Sequence, residues 1–276
     1  FKPLDVTTAF LDAELPEDME DIYLMPPSLM VHFGLVKPGT VWKPLKGVYG
    51  LRIAPKAWGV KRDRVCREVR FMINGVRHRL LQSRSDSSVW LITPEQDPHI
   101  EADRQVTGMM LIYVDDFLLM GPPAAILALE AVLMARWKMS SQEMVDLMHP
   151  GSVRYLGVEI EVDTLGSVFI HQKTYIKDML KKWDMENAKG SSSLVVDAPT
   201  QDELDADSDP AEVTLAQRLG GGLLWAATRS RPDISYAVSR LGSHCTSAPL
   251  WALALGKRVM RYLVATMDWC ISFAAR

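Results

Sequence analysis

Cysteine is scarce: Cys66, Cys245 and Cys270 are the only three in 276 residues. Odd in number and far apart, they exclude a disulfide framework and a zinc knuckle, and they point to a reducing compartment. No apolar run reaches the roughly 18 residues that a membrane span requires, so no membrane partner is expected. Neither a GxGxxG nor a GxxxxGK[ST] loop is present, which removes the main support for dinucleotide-binding and P-loop readings. The six histidines are scattered without ligand spacing. No repeat of 20–50 residues is visible, which argues against a solenoid. An excess of positive charge is also missing, since 31 Lys and Arg face 34 Asp and Glu for a net charge of −3. The opening "FKPLDVTTAF" has neither an initiator Met nor a signal-peptide pattern and reads as the interior of a longer chain.

What is present is ordinary in bulk and uneven in detail. Apolar residues make up 48% and charged residues 24%, as in a soluble globular protein of one large or two modest domains. Ten Lys/Arg stand against three acids between Leu51 and Trp90, and seven against one between Ala216 and Tyr262. Seven acids with no base occupy Asp197–Glu212. Two basic zones of this kind suit a polyanion, and they equally suit the solvated faces of basic helices.

The alternation from Val106 to Tyr113, followed by "FLLM" and the stop "GPP", predicts two short strands joined in a hairpin with Asp115 and Asp116 at its tip. Pro123 then opens a helix on which Ile126, Leu129, Leu133 and Trp137 share a face. "VRYLGVEIEV" (153–162), "DTLG" and "SVFIHQ" read as a second hairpin. Tyr175, Ile176, Met179, Leu180 and Trp183 line one side of the next helix. Residues 187–212 read as an acidic linker or extended loop. Three helices follow at 212–228, 232–247 and 249–266, and "GGG" at 220–222 inside the first calls for a close backbone approach or a bend. Trp42 and Trp58 read as core aromatics.

Adjacent acids among apolar strands are costly unless something positive joins them. Asp5, set in "PLDVTTAFL" before a β-branched stretch, is a plausible third member of the group. Hard divalent cations such as Mg²⁺ take oxygen ligands, usually one or two carboxylates with water and phosphates. Two such ions serve phosphoryl transfer. A single Asp near a strand end is more often a turn or cap residue; Tyr-X-Asp-Asp between apolar strands is a more specific signal.

"LIYVDDFLLM" resembles the polymerase motif of reverse transcriptases, and the surrounding chain resembles the copia-type retrotransposon branch. "DVTTAFLDAELPEDMEDIYLMPP", "VWKPLKGVYGLRIAPKAW", "SDSSVW", "RYLGVEI", "YIKDMLKKWDM", "TRSRPDISYAVSRL" and "KRVMRYLVATMD" follow in that family's order. The resemblance covers essentially the whole chain. It implies an α+β right-hand polymerase palm with partial fingers, followed by a helical thumb and connection region. The implied boundaries are 1–150 for palm and partial fingers, 151–186 for a primer-grip hairpin and thumb start, 187–212 for the linker, and 213–276 for the helical region.

The resemblance also implies roles. Asp5, Asp115 and Asp116 match the metal-binding catalytic acids, with Mg²⁺ (or Mn²⁺) as cofactor. Phe10 matches the aromatic that lies under the incoming sugar, and the backbone from Asp5 through Val6 to Phe10 would line the triphosphate. Tyr49, Gly50 and Arg52 fall in the nucleotide-flanking block, with Ala54 and Pro55 toward the template. Tyr113 and Val114 stand beside the acids toward the primer, and Tyr155, Leu156 and Gly157 resemble the hairpin that grips its end. Implied partners are an RNA or DNA template with primer, dNTPs, and integrase and ribonuclease H regions of the same polyprotein. The implied location is an intracellular particle, the nucleus or both. The chain departs from the family pattern at Ile53, where Gln is usual, and at "DA" (12–13), where Asn-Gly is usual. It departs again in "SSQEMVDLMHPGS" and in the long polar stretch 92–107. The family's upstream fingers segment is expected before Phe1. A decayed remnant that keeps the fold is the alternative reading, and a metal-dependent nuclease is a second.

Overall fold

Burial alternates along "GMMLIY", while "KPLDV" and "DFLLM" bury consecutive residues, and the three form neighbouring strands. The computed structural model describes residues 1–15, 22–95 and 105–275. The chain divides into two units, Phe1–Met144 and Val145–Arg276. Both are mixtures of antiparallel sheet and helix, so the fold class is α+β.

The first unit contains β1 (Lys2–Val6), α1 (Ala9–Asp12), α2 (Ser28–His32) and α3 (Ala54–Glu68), then β2 (Arg70–Ile73), β3 (Val76–Gln82), β4 (Val89–Pro94), β5 (Gly108–Tyr113) and β6 (Asp116–Met120). α4 (Pro123–Met134) and β7 (Met139–Ser141) complete it. Its seven strands run in the order β2-β3-β4-β5-β6-β1-β7, each pair antiparallel. Leu4, Val6, Met110, Ile112, Phe117 and Leu119 turn inward and share one cluster with Trp58 and Cys66 of α3 and Ile126, Leu129 and Leu133 of α4. Each large apolar side chain so buried stabilises the fold by about 1.5–3 kcal/mol. Trp137 packs edge-on against both Trp58 and Phe117, at 5.4 and 5.9 Å. Trp42 lies outside this core: it is 41% exposed, and its backbone bridges Leu24 at the surface. The expectation of a core aromatic therefore holds for Trp58 and is corrected for Trp42.

The second unit contains β8 (Gly151–Tyr155), β9 (Val158–Val162), β10 (Val168–His171), α5 (Lys173–Lys182), α6 (Gln201–Asp205), α7 (Pro210–Arg229), α8 (Ser235–His244), α9 (Pro249–Ala265) and β11 (Ile271–Phe273). The stretch 153–162 is two strands instead of one. Leu156 (φ 49°) and Gly157 (φ 76°) turn the chain, so β8, β9 and β10 form a meander that β11 extends. Ile176, Met179 and Leu180 of α5 enter a core formed with α7, α8 and α9.

Close approach accounts for the first glycine of the triplet, because a Cβ on Gly220 would stand 2.8 Å from Leu241 Cδ2 of α8. Arg231, 1% exposed, ties the α7–α8 junction to the end of α9. It donates to both oxygens of Asp233 and to the carbonyl and hydroxyl of Thr266, so its buried charge is fully answered.

Residues 187–212, read from sequence as an acidic linker, run within this unit. Leu194, Val196 and Leu204 pack against its core, Asp197 pairs with Arg258 at 2.9 Å, and a Thr200–Glu203 capping box starts α6. No helix among the described residues is long and apolar enough to cross a membrane.

Candidate active site

Asp5 and Asp116 are direct cross-strand partners between β1 and β6. Tyr113 on β5 is opposite Asp116, and Ser140 on β7 is opposite Asp5. Residues directly opposite in a sheet share a face, so Tyr113, Asp116, Asp5 and Ser140 form one row across four strands. They lie on the face away from the core, because Leu4, Val6, Ile112 and Phe117, their neighbours in sequence, turn inward. Asp115 sits at the tip itself, in the two-residue turn with Val114, whose φ is 56°. A β-branched residue in that region is strained and needs support from its surroundings.

That support is visible. The carbonyl of Val114 accepts from Trp58 Nε1 at 2.7 Å and from Arg62 Nη1 at 3.1 Å, two side chains one helical turn apart on α3. The carbonyl of Asp115 accepts from the backbone N–H of Val6 at 3.0 Å, which fixes the tip to the end of β1. Sequence reasoning missed Trp58, Arg62 and Ser140. The i, i+4 spacing of Trp58 and Arg62 on a basic helix was the available signal.

The acids feel both burial and one another. Burial pushes Asp115 above the usual carboxylate range, and the charge of Asp5 adds to it. Asp116 is raised by burial first, then by the charges of Asp115 and Asp5. Three oxygen-donor groups that repel one another are a chemical fit for a hard divalent cation, which would relieve the repulsion. Among the described residues no group of three or more His, Cys, Asp or Glu is arranged so that it could hold a metal ion as it stands.

Beside the row, Thr8 (φ 57°) turns the chain into α1, and Phe10 follows half-buried. Its ring lies 5.0 Å from that of Tyr49, tilted by 58°. The segment bearing Tyr49 is held close: Gly47 N–H donates to the Ala13 carbonyl at 2.8 Å, and a Cβ on Gly47 would fall 2.6 Å from the Phe10 carbonyl oxygen. Gly50 has φ 94°, a conformation that favours glycine, and Arg52 is exposed. Ala54 and Pro55 form the first turn of α3. Asp12, at the departure from Asn-Gly, pairs with Lys61 at 2.7 Å. Phe10 and Tyr49 are thus brought together.

Tyr155, Leu156 and Gly157 form the β8–β9 turn in the second unit, where Gly157 faces the ring of Trp225. Of the polar stretch 92–107, residues 96–104 lie outside the described residues.

Over 272 residues, 98% of its length, the chain is 25% identical to a transposon Ty5-1 protein of Saccharomyces cerevisiae, of which it covers 78%. It is 29% identical over 269 residues to the retrovirus-related Pol polyprotein from transposon RE2 of Arabidopsis thaliana. It is 27% identical over 280 residues to that from transposon TNT 1-94 of Nicotiana tabacum. The chain spans only 16% and 19% of the length of those two polyproteins. These relatives support a retroelement origin, in a Pol region. No family model matches the chain. No solved structure matches it either.

Proposed function

We propose that this chain is the reverse-transcriptase region of a copia-type Pol polyprotein, an RNA-directed DNA polymerase. The reaction is attack by a primer 3′-hydroxyl on the α-phosphate of a dNTP, with release of pyrophosphate. The first unit is read as palm with partial fingers. The observation that carries this reading is the cross-strand pairing of Asp5 with Asp116, with Asp115 at the adjoining tip. Asp5, Asp115 and Asp116 would hold the divalent cations. Such ions, when bound, activate the attacking oxygen and neutralise charge on the phosphates.

The chain's own contribution is alignment, which phosphoryl transfer chiefly requires. Trp58, Arg62 and the Val6 N–H hold the tip at a fixed height over β1. The Phe10 ring, which packs partly against the core and lies 5.0 Å from that of Tyr49, would lie under the sugar and exclude a 2′-hydroxyl. A fold-retaining, catalytically silent remnant is the competing reading, and its support is Ile53, half-buried at the start of α3 where the family carries Gln.

Manganese titration of the 276-residue chain, and primer extension by the same chain carrying the expected upstream fingers segment, test the proposal together; without that segment extension should be negligible. Bound Mn²⁺ and Mg²⁺-dependent extension are expected, and Asp115→Asn should abolish both with the fold intact. Extension unchanged in that variant would sink the mechanism. Absence of both in the parent chain would favour the remnant. Phe10→Val should admit ribonucleotides, read as a change in the rNTP/dNTP preference. An unchanged preference would return Phe10 to a packing role.

A further inference from the structure

Three arginines crowd the far edge of the first unit's sheet. Arg70 on β2 is directly opposite Arg79 on β3, and Arg77 lies two residues from Arg79 on the same strand, so all three rise from one face. Like charges directly opposite in a sheet are destabilising. One carboxylate answers them: Glu95 accepts from Arg70 Nε at 2.7 Å on one oxygen and pairs with Arg77 Nε at 2.9 Å on the other. Arg70 spends a further nitrogen on the carbonyls of Arg67 and Val69. Arg79 Nε is buried with no acceptor among the described residues. Among those residues, three guanidiniums against one carboxylate leave a surplus of two positive charges and an unmet donor.

The strand register shows which face this is. Arg79 is opposite Thr93, Leu91 is opposite Met109, and Met109 precedes Leu111 and Tyr113 at alternate positions on β5. The arginines therefore share the face of Tyr113, Asp116 and Asp5. They stand at the diagonally opposite corner, six residues along and three strands across from Asp116, about 25 Å by ordinary strand dimensions. A nucleic-acid strand rising 3.4 Å per nucleotide crosses that span in about seven steps.

We infer that the Arg70–Arg77–Arg79 corner is a second anchoring site for the phosphodiester backbone of a nucleic acid laid across this face. The inference rests on the proposed function for its ligand class and concerns groups that take no part in the chemistry. Guanidinium forks match phosphate oxygens in pairs. A phosphate meeting the guanidiniums of this corner would offset the Arg70–Arg79 repulsion. Interactions of this kind position a strand without reading its sequence.

The test is the salt dependence of binding of an RNA–DNA duplex of 20 base pairs by the 276-residue chain, without nucleotide. Arg77→Gln with Arg79→Gln should reduce the slope of log affinity against log salt by about 2, one unit for each phosphate no longer neutralised. The Arg77→Lys, Arg79→Lys pair, which keeps the charge, should restore most of the slope. A duplex of four base pairs, too short to reach from the acids to the corner, should show no difference between the parent chain and the Gln variant. An unchanged slope in the Gln variant would overturn the inference. A slope reduced equally in the Lys variant would also overturn it, by assigning the arginines to structure. Inorganic phosphate that displaces the long duplex from the parent and the Gln variant alike would overturn it as well. The titration contains neither nucleotide nor divalent metal, so failure of the chemistry and failure of the anchor are read separately.

Discussion

At the scale of single residues, the acid pair is a place where the fold gives up stability. Asp115 and Asp116 both carry folded-state pKa values above the usual 3.8. The folded chain therefore holds more protons than the unfolded chain as pH rises from that value, and stability falls through the window up to the folded pKa. Asp116→Asn should accordingly melt higher than the parent at neutral pH without divalent metal, by about 1–2 °C. The gain should vanish once the pH drops below 3.8, where the carboxyl is protonated in both states. A variant that melts lower at neutral pH would contradict this account. Cysteine chemistry offers a separate check. Burial pushes the Cys66 thiol up to about 12 and raises that of Cys245, while Cys270 is half-exposed. A thiol-specific reagent at about pH 8 should label one cysteine of the native chain, Cys270, and all three after unfolding.

At the scale of elements, the glycines of the helical unit separate two effects that sequence alone confuses. A Cβ on Gly256 of α9 would overlap Leu219 Cδ2 of α7 and crowd Leu241 Cδ1 of α8 at 3.1 Å. Gly256→Ala should cost about 1–3 kcal/mol through overpacking. Gly221 meets nothing within 4 Å, so Gly221→Ala should stabilise by about 0.5–1 kcal/mol through helix propensity. Denaturant melts of the two variants should shift in opposite directions. The same elements show what a sequence makes legible. The β5–β6 hairpin was readable because its alternation and its acid tip are local, and α4 because Ile126, Leu129 and Leu133 keep helical spacing. The turn at Leu156 was not, because a leucine at φ 49° carries none of the usual turn chemistry. Ser140 opposite Asp5 was hidden for another reason: strand pairing across 135 residues leaves no periodic trace. A cluster of Asp5 with Asp115 and Asp116 was readable as plausible from the residues themselves, while its strand register was not, and the motif resemblance supplied its implied role.

At the scale of the molecule, each unit has its own apolar cluster, one drawn from Leu4 through Trp137 and the other from Ile176 through Leu263. Residues 145–276 expressed alone should therefore fold, with a helix-rich circular dichroism spectrum and one cooperative melt. A non-cooperative melt would show that this core depends on the first unit. Within the first unit, the insertion of β1 between β6 and β7 has a consequence for biosynthesis. Of this sheet's strands, the first to leave the ribosome is an interior one, and both of its neighbours are encoded more than a hundred residues later. Until Asp116–Met120 emerges, Leu4 and Val6 have no strand partner and "KPLDV" presents two open edges to other nascent chains; one edge stays open until Met139–Ser141 follows. Long-range pairing of this kind is slow and exposed to misassembly. Asp5, Asp115 and Asp116 are thus among the last features of their unit to be assembled, and a product truncated before residue 116 would carry Asp5 on a strand that lacks both of its neighbours.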